Sequence, residues 1–171
     1  GQLMFVSSAS LAGYGMIMIF LIQVAAGNIY VLSAVILTVL MAGLAAGAAP
    51  GERLALKSLK VCVLILTGIF TLTGLLAPAL STSSAGPVLT FVFIALPLAG
   101  LVTGAVYRIL ASRQEGRLTG RVYSADMAGS ALGYLTVSTL LVPLAGSANA
   151  CFILAMFILL SGTVASVTIK E

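Results

Sequence analysis

The chain has 171 residues, 61% of them hydrophobic and 7% charged, where soluble domains carry about 25% charged residues. Four acidic and eight basic side chains cannot cover a 17.4 kDa particle of mean hydropathy +1.23, so a water-soluble globule is excluded. Histidine and tryptophan are absent, which removes imidazole metal sites, histidine-ligated haem and histidine general-base chemistry.

The charges divide the chain. They fall in Glu52 to Lys60, in Arg108 to Asp126, and at Lys170 and Glu171, leaving residues 1–51, 61–107 and 127–169 free of charge. Each of these runs is at least twice the roughly 20 residues that one helical crossing of the hydrocarbon needs. Each therefore holds two crossings with a neutral reversal between them. The first run gives spans over 3–24 and 29–49, turning at Gly27-Asn28. The second gives 59–79 and 87–111, turning in the polar stretch Ser81 to Pro87. The third gives 123–144 and 150–168, turning at Gly146 to Asn149. The expected fold is an all-α integral membrane domain over residues 1–171, six transmembrane helices arranged as three hairpins. Helices are preferred to a barrel because no run alternates with period two.

Basic residues set the expected orientation. Arg53, Lys57 and Lys60 follow span 2, and Arg108, Arg113, Arg117 and Arg121 cluster around the end of span 4 and the loop behind it. The positive-inside rule makes both loops cytoplasmic, and an even number of crossings puts both termini on the same side, in the cell membrane. The net charge of +4 is thus explained by topology and calls for no nucleic-acid partner. Gly1 in place of an initiator methionine suggests a processed or excised piece. Val24-Ala25-Ala26 looks like a signal-peptidase site, but no basic segment precedes it, and span 1 is read as retained.

Three Gly-x-x-x-Gly pairs lie in separate spans: Gly43 with Gly47, Gly100 with Gly104, and Gly129 with Gly133. Glycines four apart share one face and let a second backbone approach, so these are expected helix-packing positions. Pro97 and Pro143 should kink spans 4 and 5. Asp126, in the stretch YSADMAGSALG, is the one acid near the bilayer. Two readings are open for it: a carboxylate at the first turn of span 5 paired with Arg108 or Arg121, or a proton or substrate site. Gln23 and Asn28 are expected to satisfy turn backbone, and Tyr30, Tyr107 and Tyr123 to anchor at the interface. Cys62 and Cys151 fit no metal or redox spacing and read as small core residues. No nucleophile with its base, phosphate loop or catalytic carboxylate pair is present in the sequence, so no enzyme, cofactor or metal site is expected.

The stretches LIQVAAGNIYVL (21–32), LMAGLAAGAAPGER (40–53), ALPLAGLVTGAVYR (95–108) and RVYSADMAGSALGYLTVSTLLVPLAG (121–146) occur in an order that resembles a known family. It is the membrane-embedded region of fused spermidine synthase-like proteins, which is similar to half of a major facilitator transporter. The family often has a glutamate in its first span, whereas residues 12–16 here are uncharged, and the soluble synthase domain is absent from this sequence. The resemblance implies half of a major facilitator fold and transfers no aminopropyltransferase residue. Two functions are expected from these features. One is a non-catalytic membrane subunit or domain that anchors or scaffolds other membrane or membrane-attached subunits, or a homo-oligomer. The alternative is a half-transporter moving a small solute, a polyamine-like cation being one candidate, after pairing with a second unit.

Overall fold

The computed structural model describes residues 2–27, 30–49, 58–112 and 117–168. Asn28, the loop bearing Glu52, Arg53 and Lys57, and also Arg113 and Lys170 lie outside the described residues, as do the side chains of Tyr30 and Arg117. The described chain is all-helical: α1 (Gln2–Ala26), α2 (Tyr30–Ala48), α3 (Leu59–Ser81), α4 (Ala85–Ser112), α5 (Arg117–Thr136), a π-helical turn (Val137–Leu141) and α6 (Val142–Thr168). Four stretches are long and apolar enough to cross a membrane: Gln2–Ala25, Leu59–Ser81, Ala85–Ser112 and the 45-residue Gly120–Val164. Leu32–Ala48 is apolar but shorter.

The long stretch is interrupted inside α6 at Gly146, whose φ of 78° and ψ of 165° are not helical. That backbone strongly favours glycine, and it falls at the third expected reversal. The π turn before it carries the Val142 N–H to the Val137 carbonyl, one residue farther back than an α-helix would. It precedes Pro143, which has no N–H to donate and whose ring crowds the carbonyl four residues back. Pro97 has a different outcome, since α4 runs through it without a break. The second reversal lies at residues 82–84, where Ser83 Oγ donates to the Ala79 carbonyl at 2.7 Å and Ser81 Oγ to the Pro78 carbonyl at 2.8 Å. These hydroxyls satisfy carbonyls that the end of α3 leaves without helical donors.

One boundary differs from the expectation in a way that matters. α5 begins at Arg117, not at 123, because the basic segment that marks the edge of the apolar run does not end the helix. Asp126 therefore sits in the third turn, beyond the exposed amides of the helix start, and the end-of-helix reading of its carboxylate does not hold.

The helices pack in three principal pairs, α2 on α4, α1 on α5 and α3 on α6, with α1 also against α6 and α4, and α3 against α4. Gly43 and Gly47 of α2 meet the backbone of Pro97 and Leu101, and Gly100 and Gly104 of α4 meet that of Leu40 and Leu44, so these two helices run parallel. In the same way Gly129 and Gly133 of α5 meet the backbone of Phe5 and Ala9, making α1 and α5 parallel. α3 and α6 are antiparallel: Gly74 faces Ala148 and Phe152, while Gly162 faces Val63. α1 is the central helix, with Met4, Tyr14, Ile17, Met18 and Ile22 fully buried.

A leucine at Gly133 or Gly104 should drive these backbones apart. A Cβ there would stand 2.7 Å from the Ala9 Cα or 2.8 Å from the Ala48 nitrogen. Each substitution should cost about 1 to 3 kcal/mol and lower the thermal midpoint in detergent. Gly68→Leu, at a position with open space around it, should leave the midpoint unchanged.

Candidate functional site

The candidate site grows from α5 and the helix it lies along. The glycines of α5 bring its backbone onto α1, and that approach places Asp126, half-buried, beside Ser8, which is buried on α1. Ser8 Oγ donates to Asp126 Oδ1 across the seam. A hydroxyl held by a carboxylate is stronger than a neutral hydrogen bond, and in an apolar setting it joins two helices that no hydrophobic force draws together.

Of the arginines expected near this carboxylate, Arg108 on α4 donates through Nη1 to the Ala49 carbonyl at 3.2 Å. Its guanidinium thus lies at the C-terminal end of α2, where the helix dipole favours a cation. Arg121 is exposed one and a half turns before Asp126 on α5. Charge is therefore placed at both close seams, Asp126 between α1 and α5 and Arg108 between α4 and α2.

A second polar contact lies in the core. Tyr14 of α1 and Thr73 of α3, both fully buried, share a hydrogen bond of 2.8 Å between their hydroxyls. The Tyr14 ring stacks against Phe70 at 4.6 Å between centroids, tilted by 30°. Thr73 also returns a bond to the Ile69 carbonyl at 2.8 Å. This contact fixes α3 against α1. Cys62 and Cys151 are free and buried. Among the described residues no group of three His, Cys, Asp or Glu is placed to hold a metal ion.

An apolar groove of about 610 Å³ lies between α3 and α4, lined by Ile69, Leu72 and Thr73 on one side and Pro87, Thr90, Phe91 and Ile94 on the other. The Thr90 hydroxyl is spent on the Gly86 carbonyl at 3.0 Å, so the groove walls present little beyond hydrocarbon.

The sequence singled out Asp126 but not its partner. Ser8, Tyr14 and Thr73 carry no signal along the chain, because a hydroxyl in an apolar run most often bonds its own helix, as Ser7 does to the Leu3 carbonyl at 2.6 Å.

If the Ser8 to Asp126 bond ties α1 to α5, Ser8→Ala and Asp126→Ala should not be additive. A double-mutant cycle on thermal or denaturant stability should return a coupling of about 0.5 to 2 kcal/mol. Strict additivity would contradict the tie.

No family model, curated protein or solved structure matches the chain.

Proposed function

We propose that the chain is a non-catalytic, six-helix membrane unit that anchors or scaffolds partner subunits in the cytoplasmic membrane, with both termini in the cytoplasm. The six crossings follow from three charge-free runs with neutral reversals and from basic segments on one side only. The observation that carries the scaffold reading is the use made of Asp126: its carboxylate accepts from Ser8 and joins two helices. An acid engaged in packing is not thereby an acid offered to a solute.

The second reading, half of a transporter, is favoured by the pairing pattern. Exchanging α1 with α4, α2 with α5 and α3 with α6 turns the α1–α5 pair into α4–α2 and leaves α3–α6 unchanged; it also turns α1–α6 into α4–α3. Two three-helix repeats related in this manner characterise the halves of major facilitators. The pattern agrees with the resemblance of residues 21–53, 95–108 and 121–146 to the membrane region of spermidine synthase-like proteins.

Two measurements bear on these readings. Single cysteines at Ser83 and Gln114 should react with an impermeant thiol reagent from opposite sides of the membrane; labelling from one side would overturn the topology. Asp126→Asn keeps an acceptor of similar shape and should lower stability by only about 1 kcal/mol, with assembly intact. In proteoliposomes tested first with a polyamine, a saturable wild-type flux that disappears in a stably folded Asp126→Asn variant would replace the scaffold reading with the transporter one.

A further inference from the structure

The residues of α5 and of the π turn after it fall on four rows that repeat every four positions, one buried, one half-buried and two exposed. Gly129, Gly133 and Val137 are buried against α1. Ala128, Ala131, Leu132, Leu135, Thr139 and Leu140 are exposed. Between these rows run Asp126, Ser130, Tyr134 and Ser138, and all four are half-buried. Four polar side chains thus share one edge of the helix, between the core and the outward face, where the exposed Thr136 and Thr139 bond their own backbone. From Asp126 to Ser138 the row extends about 18 Å at 1.5 Å per residue, more than half of the roughly 30 Å hydrocarbon thickness.

The edge faces the side on which α2 lies. A Cβ on Gly15 of α1 would stand 3.9 Å from Tyr134 Oη and 3.5 Å from Leu40 Cδ2 of α2, so the tyrosine tip and α2 approach the same point on α1. α2 and α5 do not pack on each other among the described residues, although both come up to α1 beside Gly15. Ser138 Oγ is satisfied by the Tyr134 carbonyl at 2.6 Å, and Asp126 by Ser8. The hydroxyls of Ser130 and Tyr134 have no hydrogen-bond partner among the described residues. Lipid tails supply none, and a polar group left unpaired in hydrocarbon is costly.

We propose that this row lines a water-filled crevice entered from the cytoplasmic side, and that Asp126 near its mouth makes it selective for small hydrophilic cations. The proposal rests on the membrane-spanning topology and deepens the transporter reading. Water at Ser130 and Tyr134 completes their hydrogen bonding. A carboxylate keeps lone pairs for a second partner while it accepts from Ser8. In a narrow crevice with apolar walls a single negative charge concentrates cations and repels anions.

The test uses single cysteines at Ser130, Ser138, Leu132 and Leu135 in inside-out vesicles. They are probed with a trimethylammonium-ethyl thiosulfonate and with its sulfonatoethyl counterpart. Cys62 and Cys151 are fully buried, so the otherwise wild-type chain sets the baseline. With each rate divided by that reagent's rate on a small free thiol, cysteines at Ser130 and Ser138 should react about tenfold or more faster with the cationic than with the anionic reagent, while those at Leu132 and Leu135 stay at baseline. Adding Asp126→Asn to Ser130→Cys should remove the charge preference and keep the reactivity. If Ser130→Cys and Ser138→Cys are as inert as Leu132→Cys, the crevice is dry and the proposal falls. Reactivity without charge preference would overturn the role of Asp126. Equal reactivity at all four positions would instead show that α5 does not lie in lipid, and would remove the topology on which the proposal stands.

Discussion

In a chain of this composition the contact on which the architecture depends is backbone against backbone. Lipid tails are as apolar as leucine, so burial of side chains gives little net drive for two helices to associate inside a bilayer. Dispersion contacts and short polar interactions remain, and both require close approach. The parallel pairs α2–α4 and α1–α5 achieve it with glycines whose Cα atoms lie against the carbonyls of the opposite helix. The two seams are not equivalent. α2 and α4 each contribute a glycine pair, whereas α1 meets Gly129 and Gly133 with Phe5 and Ala9 and gains its polar tie from Ser8.

The second constraint is the accounting of polar groups where water is scarce. Most hydroxyls in the helices return to their own backbone, as Thr67 does to Val63 at 2.8 Å and Thr136 to Leu132 at 2.7 Å. Such bonds make serine and threonine tolerable in an apolar helix without specifying any neighbour. Three bonds among the described residues run between helices, and these are informative. Ser8 with Asp126, Tyr14 with Thr73, and Arg108 with the Ala49 carbonyl each fix one helix against another. All three involve α1 or α4, the helices that touch each other at the centre of the bundle.

Much of this was legible in the chain because hydrocarbon thickness and turn chemistry are local constraints. A charge-free run of 47 residues with Ser81 to Pro87 in its middle has few options besides a helical hairpin, and α3 and α4 form one. The start of α5 was not legible. Charges at Arg117 and Arg121 bound the apolar run, but helix hydrogen bonding continues past them, and Asp126 is accordingly inside the helix. Partners separated by more than a hundred residues, such as Ser8 and Asp126, need the packed bundle to be recognised. The i, i+4 spacing of Asp126, Ser130, Tyr134 and Ser138 is present in the sequence, yet spacing alone gives no direction. Only the burial of the neighbouring row, Gly129 to Val137, distinguishes an edge from an outward face.

The scaffold and transporter readings place different demands on the α1–α5 seam. A scaffold needs that seam fixed, and the Ser8 to Asp126 bond together with two close backbone approaches on α5 would fix it. A solute path needs α5 to present polar groups away from α1 while still packing on it, and the edge row does so without disturbing the glycine face. Because the two faces are separate rows of one helix, tight packing and a wetted edge are compatible. What divides the readings is therefore whether the Asp126 carboxylate, already accepting from Ser8, keeps a side open to water. Asp126 is half-buried where Ser8 is almost wholly buried. That asymmetry allows one side chain to tie two helices together and still face the crevice.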